Sequence, residues 1–459
     1  MIRQGVVTQV VGLCGSSPAP LNDKNRDAVS RQYKPALTPS DKITWESFGE
    51  YLKEVDKLNL PSNVVHFVGH KPIREVVMGG EQRPASTNEI EEMKSHTSEA
   101  MQVGAFGLSS GLEFPPARSA EPKELKELAS VVARYDGIYN THMRNRDQFY
   151  ELSTQEALQV ARDTGVNLEL SHLNAKTGHS KGAWFRVMDM VEYARNYEGI
   201  DVATECIPYK WGPGSYLAPL PDWLLADGIQ EAKIKLQNEE NRALLRTDCD
   251  RYWRFINKGE WDRVRLTSSE SHPELVGKTF VEMSEELGED PWNCYFDILV
   301  DEIEEVGQAT GLHLLGKLFD ESHVRNMISH PLFMLSSDAT AVKNTGPLLD
   351  VANGLAEFSW VAKILGYYVR QEKLLKLEEA IRKMTSFPAQ KFGLKNRGIL
   401  KEGMKADVVL FNPETIQETG TLSYPNKYPI GIEYVFVNGE LVVDQGRYNE
   451  GTAGKLLKH

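Results

Sequence analysis

The sequence predicts an α/β fold: a (β/α)8 TIM-like barrel with a small antiparallel element at its C-terminal end. Three observations predict it. Short apolar, β-branched runs alternate with amphipathic stretches at roughly 30-residue intervals, the rhythm of a parallel sheet wrapped by helices. Several of these runs end in a cysteine, histidine or aspartate, at the rim where such barrels keep their chemistry. The tail abandons the rhythm for alternating strand patterns and an Asn438-Gly439 hairpin signal.

The elements follow in order. Val6 to Leu13 reads as a buried parallel strand, leading into Cys14 between Gly12 and Gly15. The chain enters this strand almost directly, as one starting partway into a domain would. NVVHFVGH (63–70) is the next strand, with His66 in the core and His70 on the same face, toward the pocket. Ser86 caps a helix over 86–104 that has acidic residues in its first turn and a closing glycine. Strand and loop AFGLSSGL (105–112), a helix over 121–137 and strand IYNTHMR (138–144) come next. A helix over 154–165, strand VNLELSHLN (166–174), a helix over 183–197 and strand GIDVATECIPY (199–209) continue the pattern. Residues 219–330 break it with charged, irregular sequence, expected to be a helical insertion over the barrel mouth. LFMLSSDAT (332–340) resumes as a strand ending in Asp338, followed by helices over about 355–386. The expected division is a barrel over 1–386, with the insertion at about 219–330, and a small antiparallel portion over 387–459, separate from the barrel.

Composition narrows the function. With 459 residues, 41% apolar and 25% charged, the chain is long enough for a substantial core. A net charge of −13 argues against a nucleic-acid or acidic-membrane surface. Cys14, Cys206, Cys249 and Cys294 are too widely and irregularly spaced for a disulfide framework, so a reducing compartment is expected. No apolar run nears the roughly 18 residues of a membrane span. With no signal-peptide pattern at the start, a cytoplasmic location is expected.

Cys14, His142, His172 and Asp338 each end a strand and project from one rim. Alone, Cys14 could be a buried small hydrophobe, a nucleophile or a metal ligand. His142 and His172 sit one βα unit apart, on adjacent strands. Two imidazoles and a thiolate suit Zn2+ with an open fourth position. A neighbouring aspartate can take a proton from water acidified there, the chemistry of amide or ester hydrolysis.

Several segments, in order, resemble the D-aminoacylase (N-acyl-D-amino-acid deacylase) family of the amidohydrolase superfamily. They are VVGLCGSSPAP, NVVHFVGHKPIREVVMG, GAFGLSSGLEFPPARSA, IYNTHMR, LELSHLN, SSDA and the C-terminal LEEAIRKMTSFPAQKFGLKNRGILKEGMKADVVLFNP and YPIGIEYVFVNGELVVDQG. The resemblance implies a zinc-dependent hydrolase cleaving N-acyl-D-amino acids to a carboxylate and a D-amino acid. It maps Cys14, His142 and His172 to the ligands of one tightly bound zinc, and Asp338 to the general acid/base. The family's His-x-His motif, on its first barrel strand, is absent, so the resemblance implies a (β/α)8 TIM-like barrel lacking its first strand, with a small C-terminal β-sandwich element over 387–459, and leaves a second zinc site unsupported. Asn174 stands where the family has a lysine, with Lys176 near; Phe114 replaces a tyrosine; IPY keeps Tyr209 and Glu205 replaces an aspartate. Arg144, Tyr209 and Asn174 are the expected substrate-binding residues, with Arg144 on the substrate carboxylate. The expected partner is a small N-acyl-D-amino acid, with neither nucleic acid nor membrane; nothing signals an oligomeric state. The alternative is an N-terminally truncated, non-catalytic amidohydrolase-like remnant or binding protein.

Overall fold

The computed structural model describes residues 1–459 apart from 34–42, 218, 249–252, 308, 310, 347 and 350–353. Cys249 lies outside the described residues. In chain order the strands are β1 (Thr8–Val11), β2 (Asn63–His66), β3 (Val68–Gly69), β4 (Gly107–Gly111), β5 (Ile138–His142), β6 (Asn167–Ser171) and β7 (Val202–Cys206). An antiparallel trio interrupts them: β8 (Trp211–Ser215), β9 (Val264–Ser268) and β10 (His313–Lys317), in the order β8-β10-β9. β11 (Phe333–Leu335) then pairs parallel with β7.

The parallel strands form a curved sheet of TIM-barrel type. β3, β4, β5, β6, β7 and β11 are neighbours in that order, and β1 pairs with β2. The Phe67 amide donates to Val11 O at 2.9 Å, so β2 and β3 act as one strand between β1 and β4. The helices Thr87–Gln102, Pro122–Ala133, Tyr150–Thr164 and Ala183–Asn196 pack side by side in sequence order. The Ser86 capping box fixes the start of the first of them, where the sequence places it.

Side chains alternate along a strand, so Ile138, Asn140 and His142 share one face of β5. Ile138 packs with Val65, Phe67, Phe106, Ala203 and Met334 in a dry layer at the amino ends of the strands. Phe387 and Phe392 complete that layer. Towards the carboxyl ends the interior turns polar, with Asn140 opposite Glu169 and His142 opposite Ser171. The apolar layer therefore forms the floor beneath the polar rim.

Three expectations need correction. The insertion is not wholly helical: β9 and β10 lie inside it, and β8 joins them from before residue 219. His70 does not line the pocket from a strand. It opens the helix His70–Met78 and is fully buried against Glu124, which also accepts from Arg74. The tail is not separate. Its sheet runs in the order β12 (Val408–Phe411), β13 (Ile432–Val437), β14 (Glu440–Asp444) and β15 (Arg447–Tyr448). From there the chain returns, and β16 (Leu456–Leu457) pairs parallel with β2. Asn438 and Gly439 turn the β13–β14 hairpin with φ of 50° and 90°, as the dipeptide predicts. Among the described residues no helix is long and apolar enough to cross a membrane.

Candidate metal centre

The loop after β1 is fixed by close backbone packing against β4 and the β2–β3 strand. Gly12 and Gly15 have φ of 79° and 74°. A Cβ on Gly12 would meet Phe67 O at 2.1 Å, and one on Gly15 would meet Gly111 N at 2.5 Å. Only glycine permits both the turn and that approach. Ser109 on β4 grips the loop from both sides of Cys14: its hydroxyl donates to Gly12 O and accepts from the Gly15 amide. Cys14 itself has φ of 51°.

The same backbone signature recurs at the next two sites: His172 has φ of 30° and Asp338 has φ of 46°. Non-glycine residues rarely adopt this region, and those that do concentrate where function holds them. Arg146 holds the His172 turn, donating from a guanidinium nitrogen to His172 O at 2.7 Å.

The structure brings Cys14, His142 and His172 together, with their ligand atoms all within 4.8 Å of one another. The His142 and His172 rings lie 4.6 Å apart at 78°. His142 Nε2 is 2.7 Å from Glu113 Oε2, while its Nδ1 is buried without a hydrogen-bond partner. Glu113 fixes the ring and leaves Nδ1 as its available ligand atom, as the outer carboxylates of metal-bound histidines do. Burial, aided by Arg146, His172 and Lys176, holds the His142 imidazole well below its usual range, which favours its neutral form. Burial, with Asp338 and Glu205 adding to it, pushes the Cys14 thiol well up. A cation among these three would reverse that pressure and favour the thiolate. One soft and two borderline donors, with an orphaned imidazole nitrogen between them, fit a zinc ion.

Asp338 stands beside the cluster, with Oδ2 at 3.9 Å from His172 Nε2 and its side chain one-third exposed. Glu205 lies behind His172, accepting from the Ser171 hydroxyl at 2.7 Å and the His172 amide at 3.1 Å. One layer deeper, Asn140 donates to Glu169, whose carboxyl is pushed well up by burial and by Glu205.

The expected substrate-binding residues are not gathered in the same way. Arg144 is a correction: its guanidinium is spent on Glu156, at 2.9 and 3.0 Å, and on the carbonyls of Arg118 and Ala120. Its carboxylate partner is the protein's own. Asn174 clasps the Ile207 backbone in both directions, at 3.1 and 3.3 Å, and ties β6 to β7. Tyr209 does line a pocket shared with Asp338, and its hydroxyl donates to Glu418 at 2.6 Å.

Sequence reasoning missed Glu113. It accepts from Lys176 Nζ at 2.6 and 2.7 Å while holding His142, and it is buried. Burial pushes the Lys176 ammonium down to about 7 against the pull of Glu113. Ser109 was missed as well. The available signals were a carboxylate two residues past the glycine ending β4, and the pair of serines inside that buried strand, GLSSG.

Comparison with known proteins bears on this geometry. The profile of the amidohydrolase family matches residues 4–443. An N-acyl-D-aspartate deacylase of Alcaligenes xylosoxydans xylosoxydans is 29% identical over 457 residues, covering 99% of this chain and 80% of the relative. A D-aminoacylase of the same organism is 28% identical, covering 99% of this chain and 82% of its own. The crystal structure of an N-acyl-D-glutamate deacylase from Bordetella bronchiseptica, complexed with zinc and a phosphonate inhibitor, superposes with a TM-score of 0.79 at 26% identity. That match covers 100% of this chain and 84% of the other.

Proposed function

The chain belongs to the amidohydrolase family, and on that premise we propose that it is a zinc-dependent deacylase hydrolysing the amide bond of N-acyl-D-amino acids. The observation that carries this reading is the cluster of Cys14, His142 and His172, with the buried Nδ1 of His142 unpartnered and Glu113 on the ring's other nitrogen. The deacylases of D-amino acids among its relatives supply the substrate class.

Zinc held by those three residues would polarise the scissile carbonyl and lower the pKa of water. The chain's own residues do the rest. Asp338, at the cluster's edge, takes the proton of the attacking water and returns it to the leaving amine. Glu113 holds His142 in one ring orientation, and Ser109 and Arg146 hold the two strained turns. The pocket beside Asp338 is lined by Tyr209, Trp211, Pro213, Leu315, Leu355 and the carboxyl of Glu357. The apolar walls of this lining favour an apolar D-side chain over the carboxylates of D-aspartate and D-glutamate.

The test is zinc content together with deacylation of N-acetyl-D-methionine and N-acetyl-D-aspartate. About one tightly held zinc, turnover lost on chelation and restored by zinc, and a higher kcat/KM for the methionine substrate are expected. Asp338→Asn should abolish turnover and keep the zinc. Turnover surviving in that variant removes Asp338 from its role. A folded wild type with neither metal nor turnover favours the non-catalytic alternative.

A further inference from the structure

A second cluster of ligand-type side chains lies outside the site described above. His179 sits in the loop after β6, Asp320 is the N-cap of the helix Glu321–Ser329, and His323 lies in that helix's first turn. Their ligand atoms all lie within 4.8 Å of one another. His179 Nε2 is 3.1 Å from His323 Nδ1, with ring centroids 4.4 Å apart. The other nitrogen of His179, Nδ1, is 2.9 Å from Ser180 O. A carbonyl can only accept, so Nδ1 carries the proton and Nε2 presents its lone pair to the cluster.

Asp320 supplies the independent observation. It occupies the N-cap position, where an aspartate ordinarily accepts from the helix amides, yet its side chain makes no capping bond. The carboxylate turns towards the histidines instead, with the Arg263 guanidinium at 4.0 Å from Oδ1. Its side chain is about half exposed, which leaves room for water.

We propose that His179, Asp320 and His323 form a second, solvent-open site for a divalent transition metal such as zinc, cobalt or nickel. Two imidazoles and one carboxylate are a ligand set for these ions and a poor one for calcium or magnesium, which take oxygen ligands. Zinc–nitrogen bonds of about 2.0–2.1 Å in a tetrahedral site place two nitrogens roughly 3.3 Å apart. The observed 3.1 Å needs little adjustment.

The position gives the site a use. Two residues before His179, Thr177 donates its amide to Leu318 O at 2.7 Å, and Lys176 bridges to Phe319. The same loop carries the lysine that holds Glu113. An ion on His179, Asp320 and His323 would staple this loop to the segment leaving the insertion.

The test uses the full chain, stripped with a chelator and dialysed against zinc, with cobalt absorption as a second readout. Wild type is expected to take up one equivalent more than the variants His179→Asn and His323→Asn, each of which loses that equivalent. The cobalt–thiolate band of Cys14 should persist in both variants, so failure at this site is distinguishable from failure at Cys14. The lost equivalent should also remove a metal-dependent rise in Tm seen in wild type. Equal uptake by wild type and both folded variants overturns the proposal.

Discussion

Glu113 answers two demands at once. Its carboxylate orients His142 at 2.7 Å and neutralises the buried Lys176 ammonium at 2.6 Å. Replacing it by glutamine keeps the shape and removes the charge, so both partners suffer. We expect Glu113→Gln to weaken zinc binding by about 10–100-fold, as loss of an outer-shell carboxylate does; competition with a chelator measures it. Unchanged affinity would mean that the ring is held by packing against Phe114, which lies 4.7 Å away. The cluster of Cys14, His142 and His172, with Asp338 at its edge, was legible because these residues end apolar runs, and a parallel barrel gathers strand ends on one rim. Glu113 was not legible, because nothing in GLEFPP says which strand its carboxylate will meet. Arg144 misled for the converse reason. A cation two residues past a site histidine looks poised for a substrate, and only the folded chain shows Glu156 across from it.

At the scale of elements, local patterns succeed where partners are local. The parallel strands and the helices between them were readable from apolar spacing, and the Ser86 cap from its own turn. The β8-β10-β9 sheet was not readable. β8 is WGPGS, glycine- and proline-rich, and it owes its strand form to β10 about a hundred residues on. Pairing at that separation leaves no periodic trace. A different long-range contact governs the end of the helix Glu321–Ser329, whose last carbonyls have no intrahelical partners. Lys383, fully buried on the helix Leu377–Met384, donates to Ile328 O and to His330 O, the latter at 2.6 Å. Lys383→Met fills the same space and leaves both carbonyls unsatisfied, so it should cost about 1–3 kcal/mol in urea unfolding. The pH dependence identifies the amine. Burial lowers it from 10.5 to about 8. Between those values the unfolded chain holds more protons, so this group makes stability rise with pH. The deficit of the methionine variant should therefore widen from pH 8 towards pH 10. A deficit that is flat across that window would place the lysine's titration elsewhere.

On the scale of the whole molecule, the tail and the barrel are joined by polar contacts, among them a knot around Asn438, and by a shared core. Asn438, at the tip of the β13–β14 turn, donates from Nδ2 to Asn63 Oδ1 at 2.8 Å and to Ala453 O at 2.7 Å. Its Oδ1 accepts from Arg397 at 2.7 Å, and its amide donates to Asp407 at 2.8 Å. Asn63 opens β2, so this single side chain links the tail sheet, the returning C-terminal segment and a barrel strand. Val435, Val437 and Val442 of the tail belong to the same apolar cluster as Leu108, Leu168 and Leu170 of the barrel. Shared apolar burial of this kind makes the two regions unfold together. The chain should show one calorimetric transition, with tail and barrel probes coincident. Asn438→Gly is the informative variant, because glycine accepts the positive φ of 50° without strain and deletes only the side chain. It should lower stability by about 1–3 kcal/mol for the polar groups left unmatched. The transition should remain single. Two separated transitions in that variant would show that the regions need the knot to unfold together, while an unchanged Tm would show that they are coupled without it.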